Sequence, residues 1–109
     1  MGKYLMIETR DPFDSADVED SFELARGLAD QGSEVTVYLV QNGVLTTRRA
    51  SSAAGMLGQL AGAATVLADD FSLRERGITA DEIVPGVTQA NIDELVDLLT
   101  DDGRKVIWH

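Results

Sequence analysis

Val35-Thr36-Val37-Tyr38-Leu39-Val40, running directly into Gln41-Asn42-Gly43, is the stretch on which the fold turns. Six β-branched, aromatic or aliphatic residues in a row predict a strand, and two amides followed by a glycine end it abruptly. An unbroken apolar run of this kind suits a parallel sheet, whose strands are covered on both faces by the helices that connect them.

Upstream, the pattern changes period. Val18, Phe22, Ala25 and Ala29 recur at helical spacing from Asp17 to about Gln31, with Leu24 and Leu28 widening the stripe. Asp14, Ser15 or Asp17 can cap the start, and Gly32 suits the left-handed residue that ends such a helix. Before it, Tyr4-Leu5-Met6-Ile7 reads as a first strand that stops at Glu8-Thr9-Arg10-Asp11 and Pro12.

Downstream, Val44 to Ala64 is rich in Ala, Gly and Ser, and predicts an irregular Thr46–Ser52 lead before a helix near Ala53–Ala61. Thr65-Val66-Leu67-Ala68 is a short third strand. Asp69 to Gly77 predicts one or two helical turns, capped by Asp69 or Asp70 and stopped by Gly77. Ile83-Val84 predicts a brief strand before Pro85-Gly86. Ile92, Leu95, Val96 and Leu99 mark a helix from Asn91 to about Thr100, Asp101-Asp102-Gly103 breaks it, and Lys105-Val106-Ile107-Trp108 is the last strand. Alternating strands and helices over residues 1–109 imply a single α/β domain with a mostly parallel sheet.

The 19 Asp and Glu against 9 Lys and Arg give a formal net charge of −10, a field that repels phosphate backbones and anionic membrane surfaces. No nucleic-acid or membrane partner is expected. The absence of cysteine removes disulfides, thiolate metal sites and persulfide chemistry from these residues. No apolar leader segment follows Met1, so a cytoplasmic location is expected. Neither a phosphate-cradling Gly-x-x-x-x-Gly-Lys-Ser/Thr nor a Gly-x-Gly-x-x-Gly occurs, and no Gly-x-Ser-x-Gly corner presents a serine. Arg48-Arg49-Ala50-Ser51 has the form of a basophilic kinase stretch, which is usually chance. No cofactor is implied.

Three segments, Tyr38-Leu39-Val40-Gln41-Asn42-Gly43-Val44, Asp69-Asp70-Phe71-Ser72-Leu73-Arg74-Glu75-Arg76-Gly77-Ile78 and Val106-Ile107-Trp108-His109, together resemble the DsrE/DsrF-like (DsrEFH-like) sulfur-relay family over nearly the whole chain. The resemblance implies a three-layer α/β/α sandwich with a five-stranded, mostly parallel sheet. It also implies a homo-oligomer, trimer or hexamer, and a cysteine after the third strand that carries sulfur. Ala68 or Asp69 is the position most like that cysteine, and neither can hold a persulfide. Fold membership carries over; the family's activity does not.

Because ligands of open α/β sheets bind outside the carboxyl ends of the strands, the strand ends select the candidate residues. These are Glu8, Thr9 and Arg10 after the first strand, Gln41, Asn42 and Gly43 after the second, Asp69 and Asp70 with Arg74 and Arg76 after the third, and Trp108 and His109 at the last. The Gln41-Asn42-Gly43 corner is either an anion- or carbonyl-binding turn or a plain strand-to-helix connection. Asp69-Asp70 is either an acid–base or cation-binding pair or a helix cap. Arg74 and Arg76 either grip an anion or pair on the surface, with Glu75 between them. His109, the one histidine, offers an imidazole for metal or proton chemistry, and Trp108 is either a core residue or a subunit contact.

The expectation is a non-catalytic, homo-oligomeric protein that binds a small ligand or protein partner at this rim. Two alternatives stand beside it: a small enzyme using Asp69, Asp70, Arg10 and His109, and an accessory subunit docking a sulfur-carrier protein.

Overall fold

Five strands form one all-parallel sheet in the order β4-β3-β2-β1-β5. In the computed structural model, which describes residues 2–13 and 15–109, they are β1 (Lys3–Glu8), β2 (Glu34–Leu39), β3 (Thr65–Asp69), β4 (Val87–Ala90) and β5 (Arg104–Trp108). The helices are α1 (Asp17–Asp30), α2 (Ala54–Ala63), α3 (Asp70–Glu75) and α4 (Ile92–Leu99). Short 3₁₀ segments at Gln41–Thr47 and Ala80–Glu82 complete the connections.

The strand order dictates which face each helix covers. From β1 to β4 every step moves one place in the same direction, and right-handed crossovers then put their helices on one side. Val18, Phe22 and Ala25 of α1, Leu57 and Leu60 of α2 and Leu73 of α3 accordingly share one core with Met6, Val37, Leu39 and Val66. The single long return from β4 to β5 runs the opposite way and lays α4 on the other side, where Leu95 packs on Leu5, Ile7 and Tyr38. The sandwich is therefore three-layered and unevenly covered. An eight-residue helix is about 12 Å long, against about 19 Å for the width of five strands.

The termini of the elements follow local chemistry. Gly32 and Gly77 take φ of 93° and 66° where α1 and α3 stop, and Gly103 takes 83° after α4. Ala16 occupies the cap position of α1 without a side-chain bond, while the Ser15 hydroxyl accepts from the Asp17 backbone N–H at 3.2 Å. Asp14, named as a candidate cap, lies outside the described residues. Asn91 caps α4 by accepting from the Glu94 N–H.

Two expectations are corrected. Ile83-Val84 is not a strand: Ile83 makes an isolated antiparallel bridge to Arg48, and the Val84 N–H donates to the Thr47 carbonyl. Both side chains are buried as an inter-element plug, and β4 begins only after the Pro85-Gly86 turn. Regular structure between β2 and α2 starts earlier than expected, as a 3₁₀ segment over Gln41–Thr47 that takes in Thr46 and Thr47, while Arg48–Ser52 is irregular as expected. In it the Thr46 and Thr47 hydroxyls donate back to the carbonyls of Gly43 and Val44, stitching a 3₁₀ turn from a sequence of low helical propensity.

Candidate functional site

All carboxyl ends of a parallel sheet share one edge, and the candidate residues accordingly divide along it. At the ends of β2, β3 and β4 lies a cavity of about 830 Å³, well inside the size range of small-molecule sites. Gln41, Asp69, Asp70, Arg74 and Arg76 all line it, together with Val40, Phe71, Ser72, Glu75, Asn91 and Ile92.

The floor is a closed hydrogen-bond network. Asp69, at the last position of β3, is buried, and its Oδ2 accepts from both the backbone N–H and the hydroxyl of Ser72 at 2.9 and 2.7 Å. This caps α3 as the capping reading requires. Asp69 Oδ1 lies 2.9 Å from the Tyr38 hydroxyl, which also stands 3.0 Å from the Asn91 carbonyl. The Ser72 hydroxyl accepts in turn from the Gln41 N–H at 2.8 Å. That bond holds Gln41 at φ 57°, a left-handed conformation uncommon outside glycine. Burial first, and then the hydrogen bond to Asp69 and the nearby carboxylate charge, push the Tyr38 phenol well above its ordinary value.

Arg76 forms part of the wall. Its Nε and Nη2 donate to Asn42 Oδ1 at 3.2 and 3.0 Å, and its Nη1 donates to the Ser72 carbonyl at 3.3 Å. Asn42 thus supports the cavity from behind. Arg74 instead faces Asp70 across 3.7 Å on an exposed surface, a pair of small energetic weight. Gly43 does not line the cavity: its N–H closes the strand-to-helix turn on the Val40 carbonyl at 3.0 Å, and a Cβ there would stand 2.2 Å from the Glu8 carbonyl oxygen, so it is the point where the strand-2 corner lies flush against β1.

At the other end of the edge, where the strand order reverses, β1 and β5 make a second cluster. Glu8 is fully buried, and its two carboxylate oxygens lie 2.7 and 2.8 Å from His109 Nδ1. The Arg10 N–H donates to Glu8 Oε2 at 3.1 Å, while the Arg10 side chain is exposed. His109 is held by its backbone, with its N–H on the Ile7 carbonyl and its own carbonyl accepting from the Thr9 N–H and hydroxyl. Arg10 and His109 therefore do not join Asp69 and Asp70. Three strand spacings separate β5 from β3, about 14 Å, and the acid–base constellation of the enzyme alternative is not assembled. Among the described residues no group of three or more His, Cys, Asp or Glu is placed to hold a metal ion.

Glu8 and Tyr38 carry more of this edge than their sequence context suggests. Position in the sequence marks Glu8 only as one of the strand-end residues and Tyr38 only as part of an apolar strand, with no sign of the partners each one meets. Phe71 and Ile92, 59% and 58% exposed, supply apolar lining that helical periodicity alone does not distinguish from core.

The model of a family described as DsrE/DsrF-like matches residues 2–108. Among solved structures, the ychN protein from E. coli is 22% identical, with a TM-score of 0.86 over 100% of both chains. The protein MTH1491 from Methanobacterium thermoautotrophicum is 24% identical, with a TM-score of 0.80 over 97% of this chain and 96% of that one. BT1422 from Bacteroides thetaiotaomicron is 18% identical, with a TM-score of 0.83 over 99% of this chain and 95% of that one. No curated protein matches. At these identities the structural likenesses speak to the fold alone, and the fold agrees with the layered parallel sheet expected from the sequence.

Proposed function

The chain belongs to the DsrE/DsrF-like family, and from that premise we propose that it acts as a non-catalytic, homo-oligomeric binding protein. It takes a small ligand or a protein partner at the carboxyl-end rim of the sheet, without persulfide chemistry of its own. The observation that carries this reading is the cavity at the ends of β2, β3 and β4, which has a buried carboxylate network for its floor and no thiol. Sulfur relay needs a nucleophilic thiolate, and these 109 residues contain none. A cavity of this size with apolar walls and a few fixed polar groups is suited to binding. Amide NMR of the protein with a mixture of small fragments is expected to shift Gln41, Phe71, Asn91 and Ile92 together. Fragments that bind only elsewhere would remove the small-ligand reading.

Assembly is supported by the unevenly covered face. Ile92, Val96 and Leu99 form an exposed stripe along α4 at i, i+4 and i+7 spacing. Val106 and Trp108, in register with Leu5 and Ile7, lie exposed on the same side of the sheet. Trp108, at 67% exposure, is not a core residue of the single chain. An apolar surface of this kind marks a contact site. Light scattering after size exclusion is expected to give a trimer or hexamer, and Val96→Glu to give smaller species of unchanged secondary structure. A strict monomer at all concentrations removes the assembly.

A protein occupant of the rim, such as a cysteine-bearing sulfur carrier, is favoured by Phe71. It stands between the cavity and a smaller concavity of about 330 Å³ that it lines with Arg74 and Glu75, so it presents an aromatic knob on α3.

A further inference from the structure

The charges around the cavity do not cancel evenly. Asp69 has both oxygens committed to Tyr38 and Ser72. Asp70 and Arg74 face each other, and Glu75 lines the cavity as an exposed residue. Arg76 alone among the lining cations has no carboxylate within ion-pair distance among the described residues. Its three hydrogen bonds go to neutral oxygens of Asn42 and Ser72. Two of its five N–H groups remain available, on a guanidinium already fixed from behind. Such a pre-positioned fork matches a carboxylate. A dianion such as a phosphate ester fits less well, because Asp69, Asp70 and Glu75 share the cavity and the chain carries a formal −10. Beside Arg76, Phe71 and Ile92 leave most of their apolar surface to solvent, which a flat ring would cover.

We propose that the cavity takes a small molecule with a single carboxylate on a flat apolar body, the carboxylate on Arg76 and the body against Phe71 and Ile92. The proposal rests on the reading of the cavity as a ligand site and names the class of ligand. It is tested on the full chain by amide NMR titration with three probes of one shape: naphthoate, naphthylmethanol and naphthylmethylammonium. Naphthoate is expected to shift the Gln41, Phe71, Arg76 and Ile92 amides and to bind about tenfold more tightly than the alcohol, the scale of one charged hydrogen bond. Arg76→Gln is expected to remove that preference and leave the alcohol unchanged. Phe71→Ala, at an exposed position, is expected to weaken all three. Equal or tighter binding of the alcohol or the ammonium overturns the carboxylate class while the cavity remains a ligand site. Failure of every probe to move these amides overturns both.

Discussion

Gly43→Ala is expected to lower the free energy of unfolding by about 3 kcal/mol or more, at the upper end of the cost of overpacking. The added methyl would stand 2.2 Å from the Glu8 carbonyl oxygen and 3.0 Å from its carbonyl carbon. Those atoms belong to a strand paired on both sides, and the same carbonyl accepts the Val40 N–H at 3.0 Å. No side chain can rotate to relieve the contact, so either the corner or the sheet must shift. Urea unfolding of the variant beside the native protein measures the loss. A change within about 0.5 kcal/mol, the range of surface substitutions, would show that the corner does not lie against β1 as described.

Asp69→Ala is expected to cost about 3 kcal/mol, combining the loss of a helix cap with a buried Ser72 N–H and hydroxyl left without their acceptor. Asp69→Asn, which keeps one acceptor oxygen, should cost less, and the difference between the two isolates the network from simple loss of volume. Tyr38 adds a pH signature. Its folded-state value is raised above the unfolded value of 10.0, so below about pH 10 both states hold the proton and nothing is lost. As pH rises further the unfolded chain releases the proton first, and stability falls. The fall should be steeper in the native protein than in Tyr38→Phe, with Tyr4 common to both. Parallel curves would mean that the phenol is not held in this network.

The fold was legible wherever one local signal dominated. The Val35–Val40 run, the Val18–Ala29 stripe and the stops at Gly32, Gly77 and Gly103 each report on their own segment, and each element formed within a residue or two of its expected place. β4 escaped because its sequence, Val-Thr-Gln-Ala, belongs to an edge strand with Thr88 and Gln89 exposed. The apolar pair just before it, Ile83-Val84, drew the assignment instead. Burial was the common cause in both places, and burial does not say whether a backbone is extended.

The site was half legible. Parallel strands place their carboxyl ends on one edge, so Gln41, Asp69, Asp70, Arg74 and Arg76 could be grouped before any contact was known, and they line one cavity. Which strands stand next to each other could not be read. The order that puts β5 beside β1 carries His109 to Glu8, 101 positions away, and leaves it far from the aspartates. A pairing of that separation leaves no mark on either residue's neighbours in the chain. The lone histidine and Glu8 each stand out as strand-end residues, but neither the burial of Glu8 nor its pairing with His109 shows in the sequence.

Placing β5 on the flank of β1 opposite β2 also sets a schedule for synthesis. The Lys3–Glu8 backbone leaves the ribosome first of the five strands, yet one of its ladders of amides and carbonyls stays unpaired until Arg104–Trp108 has emerged. Closure is non-local and correspondingly slow. In that interval a newly made chain can offer its open ladder to the last strand of a sibling, the route by which copies exchange segments or aggregate.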